Sequence, residues 1–268
     1  MSWEPGQYLK YASERLRPAL DLMTRIDLAA PRNVVDLGCG AGNVTRILAE
    51  RWPHAHFTGV DNSAEMLAKA RETSAGGADI EWRSADLAAW AAATAPASID
   101  LVFSNAALHW LDDHARLFPR LMEVVARGGV LAVQMPSNFH APSHVVPNEV
   151  ALSPRWREKL GSLVRPVPVA QAEDYFAWLS PQAETIDAWT TEYLHVLPPA
   201  NEGGDHPVIE WVKGTTLIPF LAALDAGARQ SFIRDCQERI AQAYPALPGG
   251  RVLYPFRRVF LVAARGNR

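Results

Sequence analysis

Glycines Gly38, Gly40 and Gly42 alternate directly after the strand-like segment Val34 to Leu37, and three carboxylates recur at ordered places in and around them: Asp36, Asp61 and Asp86. These types at this spacing can hold a nucleoside. Asp61 lies 19 residues beyond Gly42, where the ribose of a nucleotide bound at the turn would fall, and one carboxylate can accept both ribose hydroxyl protons. Asp86 can accept from an adenine amino group while the backbone N–H of Leu87 meets a ring nitrogen. Asp36 can hold the glycine turn or, through water, a cationic amine. A second role stays open for Asp61 and Asp86, that of capping the helices that follow them.

The spacing also excludes chemistry. A dinucleotide fingerprint places its third glycine at 43, where the helix opens, and position 43 is Asn; the Gly-Lys-Ser/Thr of a phosphate loop is missing. That argues against a nicotinamide oxidoreductase. An anionic edge tolerates a cationic cofactor and repels a phosphate-rich one. Cys39 within the turn reads as a small residue in a tight space rather than a nucleophile. His140 and His144 have the i, i+4 spacing of a metal pair, but no third ligand is evident and prolines interrupt the segment, so no metal is expected.

The elements that must position these groups follow from hydrophobic periodicity. A helix is predicted over 12–30, from Leu16, Ala19, Leu20, Met23 and Ile26, ended by Pro31. Strands are predicted at 33–37, 56–60, 80–83, 99–104, 130–135, 185–197 and 258–264, with helices at 64–71, 115–125 and 173–179. A further helix follows the glycines, with Val44, Ile47 and Leu48 inward. Strands alternating with helices predict an α/β, doubly wound, mostly parallel seven-stranded sheet. Residues 136–170 hold six of the 20 prolines and read as a long irregular excursion, and two amphipathic helices are predicted at 207–224 and 226–244. The organisation is thus a cofactor-binding core at 1–136, an excursion at 137–170, core again at 171–197, a helical lid at 198–250 and the last core strand at 251–268. The aromatic residues Trp178, Trp211, Phe220, Phe232 and Tyr244 fall at helical spacing and read as core.

A hydrophobic content of 49% in 268 residues can fill a large core, and a net charge of −3 offers no basic footprint for nucleic acid. Two cysteines make no disulfide framework and point to a reducing compartment. No basic segment followed by an apolar run opens the chain, and no run approaches the roughly 20 residues of a membrane span. The chain is therefore read as cytoplasmic, with no membrane or nucleic-acid partner.

Asp36-Leu-Gly-Cys-Gly-Ala-Gly42, Gly59-Val-Asp61, Ala85-Asp86 and Ser104-Asn105-Ala106 resemble the class I S-adenosylmethionine-dependent methyltransferases. The resemblance implies a Rossmann-like core that holds S-adenosyl-L-methionine and releases S-adenosyl-L-homocysteine. Gly38, Gly40 and Gly42 would pass beneath the methionine half, Asn62 would stand beside Asp61, and Asn105 would lie beside the sulfonium. It also implies that the last strand inserts antiparallel. Over nearly the whole chain, Trp3, Tyr8, Ser13-Glu-Arg-Leu-Arg-Pro18, Asn105-Ala-Ala-Leu-His-Trp110, Val133-Gln-Met-Pro136, Asn138, Ile209-Glu-Trp-Val212 and Phe256-Arg-Arg-Val-Phe260 are similar to the trans-aconitate 2-methyltransferase family. That resemblance implies esterification of one carboxylate of a small tricarboxylic acid.

The acceptor sets further requirements. A carboxyl group with a pKa near about 4 is ionised at pH 7, so no general base is needed and no catalytic acid or base is assigned. Alignment and exclusion of water remain for the enzyme. A polyanion in a net-negative chain needs a basic pocket. Arg257 and Arg258 are candidates, strand alternation lets only one face the site, and the resemblance favours Arg258; a surface ion pair is the rival role. Arg15 can clamp a carboxylate of cofactor or substrate, or be solvated. Tyr8, Trp110 and Asn138 complete the expected acceptor contacts, with core packing the rival role for Trp110. The expected activity is an O-methyltransferase for a small carboxylic acid. The alternative is a C- or N-methyltransferase of another metabolite, and a non-catalytic cofactor-binding module is disfavoured by the predicted lid.

Overall fold

The computed structural model describes residues 12–73 and 79–266, with side chains from Leu16 onward. In chain order come α1 (Ala12–Thr24), β1 (Asn33–Leu37), α2 (Asn43–Arg51), β2 (His56–Asp61), α3 (Ala64–Glu72), β3 (Ile80–Ser84), α4 (Leu87–Ala93), β4 (Ile99–Asn105), α5 (His114–Val124) and β5 (Val125–Pro136). They are followed by α6 (Pro142–Ala151), α7 (Arg157–Leu160), α8 (Ala172–Leu179), β6 (Ala183–Leu197), α9 (Pro207–Lys213), α10 (Ile218–Ala222), α11 (Ala226–Ala243) and β7 (Val252–Arg265).

The seven strands form one sheet in the order β3-β2-β1-β4-β5-β7-β6. Strands β1 to β5 pair in parallel, and β7 runs antiparallel to β5. The order reverses between β1 and β4, and the carboxyl ends at such a switch point diverge to leave a crevice for a ligand. Chain contacts divide the protein into two units: a sheet unit of 13–136, 168–191 and 258–266, and a helical unit of 137–167 and 192–257. The last residues of β6 and the first of β7 thus belong to the helical unit.

The inner strands β1, β4 and β5 carry near-continuous buried apolar runs, the pattern of strands covered on both faces. Leu37, Val60, Leu101, Val102, Phe103, Leu131, Ala132 and Val133 are fully enclosed. Helix α1 stops at Thr24 rather than continuing to residue 30. The Arg51 guanidinium donates to Met23 O in the last turn of α1 and, at 2.8 Å, to Ile26 O just beyond it, taking carbonyls that a longer helix would have used. In α2 the buried residues are Thr45, Leu48 and Ala49. The inward turn is therefore rotated from the predicted Val44 and Ile47, and the bond made by Thr45 supplies the reason below.

The helical unit packs around Trp211, Phe220, Phe232 and Tyr254, all almost fully buried. Its first segment is not the predicted irregular excursion. Pro142 stands at the start of α6, where a missing N–H is harmless, so it opens a helix instead of preventing one. The predicted single helix over 207–224 is two, with Pro219 in the first turn of α10, because proline cannot continue a helix interior. A buried polar knot joins Asn138, Ser143 and Tyr254. Tyr254 Oη donates to Ser143 Oγ at 3.1 Å, and Asn138 Nδ2 lies 3.4 Å from each of those oxygens. Among the described residues no helix is long and apolar enough to cross a membrane.

Candidate active site

The turn from β1 to α2 is left-handed at all three glycines, with φ of +76° at Gly38, +54° at Gly40 and +74° at Gly42. Two of them are also sites of close approach. A Cβ on Gly38 would lie 2.0 Å from Ala107 Cβ, and one on Gly42 would lie 2.3 Å from the Trp82 ring. A Cβ on Gly40 would meet only Met66 Cε, at 3.4 Å, so the middle of the turn faces open space. Gly38→Ala combines a forbidden φ with an overpacked contact. It is expected to lower the folding free energy by about 2–4 kcal/mol, read from urea denaturation.

The turn is anchored to β2. Gly38 N and Cys39 N both donate to Val60 O, at 2.8 and 3.1 Å. Asp61, at the end of β2, accepts from Gly40 N at 2.9 Å through Oδ2 and from Ser63 N at 2.8 Å through Oδ1. Each carboxylate oxygen carries two acceptor positions, so Asp61 keeps one on each oxygen after organising the turn. Asn62 beside it is exposed. Asp86 caps α4 by accepting from Ala89 N at 2.8 Å, and Leu87 N opens that helix, among the N–H groups without an intrahelical partner. Asp86 therefore performs the capping role, and its exposed position leaves room for a ligand as well.

Asp36 is 2% exposed and accepts from Thr45 Oγ1 at 2.6 Å. Burial raises its pKa from the ordinary 3.8 to about 7; the Thr45 hydroxyl opposes the rise and the Asp61 charge adds to it. Thr45 was not read from the sequence, although its position in the first turn of the helix after the glycines was a usable signal. Burial, with Asp36 and Asp61 nearby, pushes the Cys39 thiol well above its usual range, so it carries no thiolate for nucleophilic attack.

Strand β4 reaches the same edge. Ser104 Oγ donates to Leu37 O at 2.8 Å, tying β4 to β1. Asn105 follows, its buried Oδ1 without a hydrogen-bond partner among the described residues. The chain then turns through Ala106 at φ +54° into a 3-10 turn, Leu108–Trp110. Trp110 is 49% exposed, which removes core packing as its role. Next in the sheet, Gln134 of β5 stands in register with Asn105, and Arg258 of β7 with Pro136. Alternation leaves Arg257 exposed and Arg258 only 4% exposed. Arg258 Nη1 donates to Gln134 Oε1 at 3.4 Å.

The sheet unit thus holds Asp36, Gly38, Gly40, Gly42, Asp61, Asn62, Asp86, Leu87, Asn105 and Trp110 near the ends of its parallel strands and in the turns that follow, with Arg258 of β7 paired to the last residue of β5. Asn138 belongs to the helical unit, where its Oδ1 accepts from Arg257 N at 3.2 Å. Tyr8 lies outside the described residues, and Arg15 lies in α1 with its side chain outside them. Among the described residues no three His, Cys, Asp or Glu side chains converge as metal ligands. Burial lowers the His144 pKa to about 4, and its Nδ1 lies 3.1 Å from Ser143 Oγ.

Residues 34–129 match a family model described as a methyltransferase domain. The chain is 45% identical over 264 residues to the trans-aconitate 2-methyltransferase of Methylobacterium nodulans, covering 98% of both chains. It is 45% identical over 272 residues to the enzyme of that name from Streptomyces coelicolor, covering 98% of this chain and 87% of the other. Among solved structures, the YcgJ protein of Bacillus subtilis shares the fold at a TM-score of 0.59 and 14% identity, over 93% of this chain and 99% of that one. Phosphoethanolamine N-methyltransferase 2 of Haemonchus contortus, in complex with S-adenosyl-L-methionine, shares it at 0.52 and 18% identity, over 93% of this chain and 52% of that one.

Proposed function

Because the chain belongs to the trans-aconitate 2-methyltransferase family and is an S-adenosylmethionine-dependent methyltransferase, we propose that it esterifies one carboxylate of a small polycarboxylic acid, trans-aconitate. The residues at the β1–β4 edge suit the cofactor chemically. Asp61 retains acceptor positions for ribose hydroxyls, the turn is open at Gly40, and Asn105 Oδ1, without a hydrogen-bond partner among the described residues, suits a donor or a positively polarised group. Asp36 sits beneath the turn as a carboxylate that a cationic amine would ionise. Asp86 and Leu87 N offer an acceptor and a donor for an adenine edge. The chemistry that bound S-adenosylmethionine would supply is an electrophilic sulfonium methyl for the acceptor oxygen, with S-adenosylhomocysteine as the other product.

The acceptor carboxylate is already ionised at neutral pH, so the protein's work is to bind, orient and exclude water. The observation that carries the acceptor assignment is Arg258: a guanidinium 4% exposed on the sheet face that also holds Asn105, in a chain of net charge −3. A guanidinium fork matches a carboxylate with two parallel hydrogen bonds. Trp110, half exposed beside the His109 ring at 4.9 Å, is available as an apolar wall.

The test is methyl transfer from S-adenosylmethionine to a panel of di- and tricarboxylates, with the product position read by NMR. Trans-aconitate should give a methyl ester, with kcat/KM about hundredfold above that of succinate, the scale of one lost charge-assisted carboxylate contact. Methylation at nitrogen or carbon of another metabolite, with no ester from any polycarboxylate, would refute it.

A further inference from the structure

We infer that Gln134 is a specificity-determining contact for the acceptor, its side-chain amide donating to a carboxylate of the polycarboxylic acid other than the one that is methylated. This rests on the acceptor reading above. Gln134 is 0% exposed, and it interrupts the apolar run Val130 to Met135. A primary amide enclosed among apolar groups is destabilising unless its donors and acceptors are used.

Among the described residues only half of this amide is used. Its oxygen accepts from Arg258 Nη1. A guanidinium carries donors alone, so the oxygen must face it, and this fixes which end of the amide is nitrogen. Nε2 is then directed elsewhere, and it has no hydrogen-bond partner among the described residues. The neighbouring orphan, Asn105 Oδ1, does not take it, although the two residues stand in register on adjacent strands.

Register sets Gln134 and Arg258 on one face, with Asn105, the proposed cofactor contact, beside them. Paired residues in a sheet project to the same face, and residues two apart along a strand share it. Asn105 pairs with Gln134, Gln134 pairs with Phe260, and Arg258 stands two residues before Phe260. One face therefore presents an acceptor, an amide donor and a guanidinium in sequence across three strands. Phe260 is covered by the Trp189 ring, stacked at 4.8 Å and 10°, so that side of the row is apolar.

The chemistry selects which carboxylate is held. Hydrogen bonds to a carboxylate stabilise its lone pairs and weaken it as a nucleophile. Donors are therefore best placed on carboxylates that do not react, where their binding energy orients the one that does. An amide and a guanidinium sharing a bond present two fixed donors, suited to an acid with more than one anionic group.

The test uses Gln134→Met, which keeps length and removes the amide, and Gln134→Glu, which keeps an acceptor for Arg258 and removes the donor. KM is measured for trans-aconitate and for dicarboxylate analogues that each lack one carboxylate. Both variants should raise the KM for trans-aconitate about tenfold or more. For the analogue lacking the contacted group, KM should stay within about twofold of wild type, and the affinity for S-adenosylhomocysteine should not change. An equal rise for every acid, or no rise, overturns the contact while leaving the acceptor reading intact. If the wild-type enzyme esterifies no polycarboxylate, both fall.

Discussion

Arg258→Ala is expected to raise the KM for trans-aconitate about hundredfold while the Kd for S-adenosylhomocysteine changes less than about threefold. The size follows from removing a charge-assisted, two-bond contact, about 2.7 kcal/mol at the transition state and in the ground state alike. Such uniform binding moves KM and leaves kcat nearly constant. Arg258→Lys keeps the charge but loses the fork and the geometry of the bond to Gln134 Oε1, so it should recover only part of the loss. Arg257→Ala is the internal control: that side chain is exposed on the opposite alternation, and its removal should leave the acid's KM within about twofold, the range of ordinary surface substitutions. Initial-rate kinetics and calorimetry decide the matter. Equal losses for acid and cofactor would remove Arg258 from the acceptor site.

Cofactor affinity is expected to rise with pH through about 7 and to do so because of Asp36. In the ligand-free protein burial holds this carboxyl partly protonated near neutrality, its pKa at about 7. A cationic amine close by favours the ionised form, so binding at pH 6 should release about one proton, and the Kd there should be about tenfold weaker than at pH 8. Calorimetry in buffers of different ionisation enthalpy measures that proton directly. Asp36→Asn should abolish the release, flatten the pH dependence and weaken binding at pH 8 by more than tenfold, the scale of one lost ionic contact. A Kd of the variant that still varies tenfold over the same range would show that another group is responsible.

The same residue has an opposite consequence for stability. Its folded pKa lies above its unfolded value, so its contribution is fully present below 3.8 and is lost as pH rises through about 7. The displacement is worth about 4 kcal/mol at most. The ligand-free Asn variant should therefore be more stable than the parent at pH 8 and comparable at pH 4, as measured by thermal or urea unfolding. The protein keeps beneath its glycine turn a group that lowers the stability of the empty fold and strengthens the hold on a cationic ligand.

Much of the sheet could be read in advance because its signals are local. Apolar runs bounded by glycine, proline and acids mark β1 to β4 to within a residue at each end, and the alternate glycines permit the left-handed turn found at Gly38, Gly40 and Gly42. Strand alternation allows only one of Arg257 and Arg258 to face inward, and the family resemblance favours Arg258. Proline was the least transparent signal. Pro142 starts a helix, and Pro219 lies in the first turn of the second of two short ones. A proline's meaning depends on whether its missing N–H would have had a partner, which composition does not reveal.

The types and order of the chemical groups were thus determined by the sequence: the turn, the acids behind it, and one arginine of an adjacent pair directed inward. Which groups meet was decided only in three dimensions. Thr45 turns inward in place of Val44 and Ile47 because a buried Asp36 needs a donor. Gln134 looks like one polar residue in an apolar strand until β7 enters antiparallel and sets Arg258 against its oxygen. Strand pairing joins residues 124 positions apart, and no local periodicity carries that information.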